Sequence, residues 1–325
     1  FIGEVDPATG RRRSMEMINN SMALLDGAEP DETRIRFLWN RADPASPRSA
    51  VEPATPAARA VEGSYYWLQD GAVVGGMFYC FPMIVGPNPD GPEGFQFALH
   101  GVTVCRAPMT PDGPDLGRLE QFDAAPLFGR TSAGHLAYYG AAVLPLTAEA
   151  GVPEPDGYVY VYGLLHDGRH RPIAARVLPE HLADASRWTF WDGAGWSRRA
   201  ADAAPIAEET SPEYSIHPMQ GGPHHGRYVL AYLRGAEPKG VAVRFGDSPV
   251  GPFGEEILLY ACPEQFEGGG RYVYNAKAHP VLSKPGELLL SYNVNSTKMD
   301  EHVRCADIYR PRFVNAYRIA GEGEA

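Results

Sequence analysis

The stretch "RYVYNAKAHPVLSKPGELLLSYNVN", Arg271 to Asn295, decides how this chain is read. Its two apolar runs, on either side of Ser283-Lys284-Pro285-Gly286, have the composition of neighbouring β-strands joined by a tight turn. The first carries Asn275, Lys277 and His279, and the second carries Asn293 and Asn295, in each case two residues apart. Side chains alternate faces along a strand, so this spacing predicts one polar face on each. In a dry core every unpaired amide or ammonium would cost several kcal/mol. The pattern therefore predicts strands whose polar face looks into a wet, ligand-binding funnel.

The same signature recurs along the chain. A turn with glycine precedes four or five apolar residues ending near an aromatic, as in Gly75-Gly76-Met77-Phe78-Tyr79-Cys80-Phe81 and Asp156-Gly157-Tyr158-Val159-Tyr160-Val161-Tyr162. It returns in Gly226-Arg227-Tyr228-Val229-Leu230-Ala231-Tyr232 and in Gly286-Glu287-Leu288-Leu289-Leu290-Ser291-Tyr292, copies being about 60 to 80 residues apart. Before each copy lies a second repeated segment: "YYWLQDGAVV" (65–74), "AYYGAAVL" (137–144), "EYSIHPM" (213–219) and "YNAKAHPVL" (274–282). With "MINNSMALL" and "TRIRFLWN" near the start, five units are counted. Repeats of this length predict an all-β chain, a five-bladed β-propeller with blades of about four antiparallel strands. It would form a single domain over 1–325, with blades near 1–50, 60–110, 130–200, 208–265 and 270–320. Helical periodicity is confined to Pro179–Ser186 and Ser14–Leu25.

Composition agrees with many short strands and tight turns: 36 Gly, 30 Pro and 17 Tyr in 325 residues. A net charge of -11 argues against partners rich in phosphate, whether nucleic acid or an anionic membrane surface. No run approaches the roughly 20 apolar residues needed to cross a bilayer as a helix. Arg11-Arg12-Arg13, the one basic run, reads as a solvated turn. The chain opens at Phe1 without an initiator Met, which leaves localisation unknown, a secreted or periplasmic site being favoured over the cytoplasm. Cys80, Cys105, Cys262 and Cys305 form no CxxC pair, which disfavours zinc and redox motifs. Cys80 and Cys105 fall where one hairpin would bring them together, but buried free thiols are the expectation.

"FIGEVDPATGRRR…MINNSMAL", "SPVGPF" (248–253), "YNAKAHP" and "SYNVN…ADIYRPRF" together resemble a family of bacterial five-bladed propellers. Once catalogued as a domain of unknown function, that family includes endo-D-arabinanases. More distantly the chain resembles the arabinanase, xylosidase and invertase propellers. The resemblance implies a glycoside hydrolase acting on a furanoside or arabinan-like glycan. Such chemistry needs two carboxyl groups, one ionised and one held protonated. The resemblance also implies that Glu213, at the start of the fourth inner strand, is the general acid. Relatives carry Gly-Asp-Thr immediately before the residues matching Phe1-Ile2-Gly3, and that first-blade Asp is not in this sequence. Glu4 and Asp6 are the nearest substitutes.

Asp70, in "WLQDG", is a second catalytic carboxylate or the first half of an Asp-Gly turn. Asn19, Asn20, Asn275, Lys277 and Asn293 are candidates for sugar hydroxyls. His217 and His279, which recur at equivalent positions, are candidates either for ligand contact or for bridging blades. Arg310, beside Pro311 and Arg312, is a substrate clamp or a structural one, and Pro311 precedes the strand expected to close the ring on the first blade. Trp67, Tyr139 and Trp191 are candidate sugar-stacking platforms or inter-blade packing. His224-His225 reads as a turn, and the loops "DGPEG" and "PDGPDLG" as rim elements. No organic cofactor is expected, and the metal content is left open, a calcium ion on the propeller axis being compatible with the fold. The rival readings are a repurposed propeller enzyme acting on a small metabolite and a non-catalytic carbohydrate-binding propeller.

Overall fold

A computed structural model describes residues 1–27, 29, 31–40, 46–92 and 94–317, except for the side chain at position 32. The chain is all-β, its described strands forming five antiparallel sheets in sequence order. It divides into two compact units: residues 1–50, 213–245 and 254–325 form one, and residues 51–212 and 246–253 the other.

The first unit holds a two-stranded sheet, Met22–Leu25 with Ile35–Leu38, and two larger meanders. One meander runs Tyr214–Pro218, Tyr228–Arg234, Gly240–Gly246 and Ile257–Ala261, and the other Arg271–Ala278, Glu287–Ser296 and Pro311–Tyr317. Their inward residues merge into one core, in which Val229, Ala231, Val241 and Val243 meet Val273, Ala276, Leu290 and Val294. Burial of such aliphatic side chains, at about 25 cal/mol per Å², is the dominant favourable contribution to folding.

The second unit holds a seven-stranded sheet that begins at Tyr65–Trp67 and a six-stranded meander from Phe128–Arg130 to Trp196–Ser197. In the meander, Leu136–Leu146 pairs with Tyr158–His166 so closely that a Cβ on Gly163 would lie 1.9 Å from the Tyr138 carbonyl oxygen. Cys80 faces Cys105 in register across the seven-stranded sheet, and both are buried free thiols. Each repeated turn-plus-aromatic segment is a strand, as its alternation demands.

Several expectations are corrected. No helix covers 14–25; that segment ends in the strand Met22–Leu25. Pro179–Ser186 is reduced to 3-10 turns at Pro179–His181 and Ala185–Arg187, since it is too short to propagate an α-helix. Among the described residues Pro311–Tyr317 pairs only with Glu287–Ser296 and does not close onto the first sheet. The N-terminal segment is joined to the C-terminal one in another way. Arg12 is half-buried and donates to four carbonyl oxygens, those of His302 (2.5 Å), Cys305 (3.3 Å), Ala306 (3.0 Å) and Ile308 (3.1 Å). Backbone bonds from Arg12 N to Val303 O and from Ala306 N to Gly10 O complete the tie. The basic run is thus not wholly a solvated turn. Arg13 is exposed and pairs with Asp6, whereas Arg12 satisfies a loop whose carbonyls have no ladder.

This difference predicts unequal stability losses. Arg12→Met should lower the unfolding free energy by about 2–4 kcal/mol, because it strands several carbonyls at once. Arg13→Met, which breaks one surface pair, should cost about 0–1 kcal/mol. Urea melts of both variants test this, and equal losses would contradict the assignment.

Candidate active site

The strand Arg271–Ala278 is not regular. It pairs Tyr274 with Asn293 and then Lys277 with Ser291, so one extra residue is inserted opposite the partner strand. Asn275, at the insertion, has a left-handed φ of 55°, which Asn tolerates better than most residues. Before the bulge Val273 points into the core; after it Ala276 and Ala278 do. The period-two reading therefore breaks at Asn275. Tyr272 and Tyr274, not Asn275, share the open face with Lys277 and His279, opposite Asn295, Asn293 and Ser291.

Glu213 immediately precedes the neighbouring strand Tyr214–Pro218. The two strands are locked where Ala278 N donates to the buried Ser215 Oγ at 2.8 Å. Glu213, two residues before Ser215, is brought within the electrostatic reach of Lys277, Tyr272 and Tyr274. The residue is half-buried, with its carboxyl end the more enclosed. Burial raises its pKa above the ordinary glutamate value, and a hydrogen bond from its own backbone N–H, followed by the nearby Lys277, offsets that rise only in part. The tyrosines remain protonated donors, because burial raises Tyr272 and Tyr274 as well. Tyr272 OH accepts from Asn295 Nδ2 at 2.7 Å, and its ring lies 5.7 Å from that of Tyr274. Tyr309, hydrogen-bonded to Tyr274, has a left-handed φ of 73° and is partly exposed. This is a face of hydroxyls, amides and one lysine beside a carboxyl whose pKa burial raises, a set able to bind polyols and donate a proton.

Other expected residues in this unit have separate roles. His279 is tied into its own hairpin, its Nε2 2.7 Å from Ser291 Oγ and its carbonyl accepting from Ser283 Oγ. His217 is half-buried in mid-strand opposite Val229. Asn20 is buried, and the 19–20 segment bonds to residues 49–50. Arg310 is exposed and pairs with Asp307 at 3.2 Å, while Arg312 lies 3.4 Å from the buried Glu264. Asp6 accepts from Ala8 N and Arg13 and is part of a turn; Glu4 is exposed. His224 is buried flat against Phe245 at 3.7 Å, and His225 Nδ1 accepts from Gly221 N, as a turn requires.

Asp70, Trp67, Tyr139 and Trp191 belong to the other unit. Asp70 accepts from Gly71 N at 2.9 Å through Oδ1 and from Val143 N at 3.0 Å through Oδ2. Those bonds fasten it to Leu136–Leu146, so backbone donors hold both oxygens. Tyr139 is 1 % exposed with its ring on Phe190, which leaves no open face for a sugar. Trp67 is partly exposed but packs edge-on against Phe97, and Trp191 packs against Trp196. Among the described residues no group of three or more His, Cys, Asp or Glu is placed to hold a metal ion, and no helix is long and apolar enough to cross a membrane.

The residues missed by sequence reasoning are Tyr272, Tyr274 and Tyr309. The equivalent segment gave no signal for the first two, since Leu136–Leu146 inserts two residues between Tyr139 and Ala142, with φ of 116° at Gly140, and not one.

Comparison with solved structures finds the same all-β fold in other proteins. A protein of Bacteroides ovatus, provisionally assigned as a hydrolase, superposes with a TM-score of 0.62 at 19% identity over 87% of this chain and 72% of its own. The exo-β-1,3-galactanase of Phanerochaete chrysosporium, solved with β-1,3-galactotriose, gives a TM-score of 0.53 at 11% identity over 98% of this chain and 64% of its own. At these identities the likeness concerns the fold alone. No curated protein matches the sequence. The model of a family described as a domain of unknown function (DUF5005) matches residues 1–318, and the chain belongs to that family.

Because folded Glu213 holds its proton more tightly than unfolded Glu213, the folded state binds more protons in the window above the ordinary glutamate pKa. Stability from this group therefore falls as pH rises through that window. Glu213→Gln removes the effect and should gain stability relative to wild type as pH rises above the ordinary glutamate pKa. Parallel urea melts read the difference; a difference that does not grow with pH would show that the carboxyl is not perturbed.

Proposed function

We propose that this protein is a glycoside hydrolase with five blades, one per sheet, acting on a furanoside or arabinan-like glycan. One observation carries the reading: Glu213, its pKa raised by burial, lies beside a face of tyrosine, asparagine and lysine side chains. Glycosidic cleavage needs a carboxylic acid that donates to the leaving oxygen while a second carboxylate serves as base or nucleophile. A buried carboxyl with a raised pKa suits the donor role near neutral pH. Lys277, Asn293, Asn295 and the two tyrosines would bind the sugar hydroxyls. The arabinan preference rests on the resemblance of the "YNAKAHP" and "YRPRF" segments to the endo-D-arabinanase propellers.

A non-catalytic carbohydrate-binding propeller is the second reading. It is favoured by Asp70, the other expected carboxylate, whose oxygens are both held by backbone N–H groups.

The test is hydrolysis of arabinan and of aryl arabinofuranosides by wild type and by Glu213→Gln. Loss of the acid should lower kcat by about 10²–10⁴-fold, with glycan binding retained. Turnover like wild type would remove Glu213 from the donor role. Binding without hydrolysis by wild type would favour the second reading.

A further inference from the structure

Among the described residues, Glu154, Asn275 and Tyr309 are the non-glycine residues with a left-handed backbone, and Tyr309, at φ 73°, is the bulkiest of them. Asparagine tolerates that region, and glycine would hold it without cost, but a ring-bearing side chain does not. Strain of this kind persists where the surroundings impose it, and it gathers at ligand clamps. Here the surroundings do impose it. Tyr309 N donates to the Val294 carbonyl at 2.9 Å. Its ring meets those of Phe1 at 5.0 Å and His302 at 5.9 Å, both edge to face. His302 is itself buried, with Nε2 3.2 Å from the Ser296 carbonyl oxygen. Tyr309 nonetheless stays 45% exposed, so its ring is fixed by neighbours without being covered. A tyrosine kept for packing alone would be enclosed, as Tyr292 is.

The uncovered ring belongs to the polar face of the same unit. Val294 sits between Asn293 and Asn295, whose ladder partners on Arg271–Ala278 are Tyr274 and Tyr272. On the other edge Asn293 pairs with Pro311, so Tyr309 enters from the side opposite Arg271–Ala278. Its side chain still bonds to Tyr274, which carries it across the middle strand. An aromatic ring thus stands beside two amides and two further phenols. A rigid ring among hydrogen-bonding groups fits a ligand with hydroxyls on its edge and C–H groups on its faces. We propose that Tyr309 is the sugar-stacking residue of this site, packing the C–H face of a sugar ring against its phenol. The inference rests on the reading of this face as a glycan site. Trp67, Tyr139 and Trp191, the candidates for that role by residue type, all lie in the other unit. Because Phe1 and His302 already hold the ring, binding has little side-chain freedom left to remove.

The experiment is calorimetric titration of arabino-, xylo- and galacto-oligosaccharides into the Glu213→Gln protein, which leaves them uncleaved, and into the same protein carrying Tyr309→Phe or Tyr309→Leu. Tyr309→Phe keeps the ring and should bind within about threefold of its parent, whereas Tyr309→Leu should raise Kd about tenfold or more. Tyr309→Asn, which suits the left-handed backbone, should show the same loss and replaces the leucine variant if that does not fold. An unchanged Kd in Tyr309→Leu overturns the assignment. So does an equal loss in Tyr309→Phe, which would place the contribution in the hydroxyl rather than the ring. Binding of another sugar in place of the arabino-oligosaccharides, with the same order of variants, upholds Tyr309 and corrects only the substrate. Absence of binding by the parent to every member of the panel overturns the inference together with the glycan reading. Failure of Glu213 as donor shows separately, in turnover.

Discussion

The arrangement of the site depends on one inserted residue. Had Arg271–Ala278 run as a regular strand, the face that begins with Val273 would continue through Asn275, Lys277 and His279. Those polar groups would then enter the core that Val273 shares with Leu290 and Val294. The insertion at Asn275 reverses the parity. Ala276 and Ala278 take the core positions, and Lys277 and His279 turn to the face that already holds Tyr272 and Tyr274. The cost is an irregular ladder and a left-handed non-glycine residue. It is smaller than the cost of an ammonium enclosed by aliphatic side chains.

Electrostatics then follow from packing. The Ser215–Ala278 bond fixes two strand starts beside each other, so a carboxyl, an ammonium and two phenols share a small region. Enclosure disfavours the glutamate charge, its own backbone N–H and the lysine favour it, and enclosure prevails. A fully exposed Glu213 would ionise as any surface glutamate does, and one salt-bridged without burial would ionise more readily still. Burial beside the lysine instead leaves a carboxyl whose pKa is raised.

Much of this was legible in the sequence. The glycine turns followed by Tyr158–Tyr162, Tyr228–Tyr232 and Leu288–Tyr292 are strands, because local alternation and turn chemistry determine them. Glu213 was singled out by the family resemblance and Lys277 by residue type and strand position, and Lys277 lies within electrostatic reach of Glu213. What was not legible depends on contacts distant in sequence. Arg11, Arg12 and Arg13 are indistinguishable as a triplet, and only the loop at 302–308 selects Arg12 for burial. Asp70 has the composition of a turn residue and of a catalytic one, and the Val143 amide, from another sheet, gives its second oxygen a backbone partner.

The two irregular inner strands differ in what they insert: two residues, Gly140 and Ala141, in Leu136–Leu146, and one, at Asn275, in Arg271–Ala278. Around Gly140 the surroundings leave no choice of residue: Gln69 donates to the carbonyls of Phe81 and Tyr139, Asp70 holds Val143, and a side chain on the glycine would collide with Phe81. Around Asn275 the single insertion instead keeps Tyr274 and Lys277 on one face, opposite Asn293 and Ser291. Core packing takes the alanines at 276 and 278, and the half-buried lysine between them lies on the open face that Glu213 adjoins.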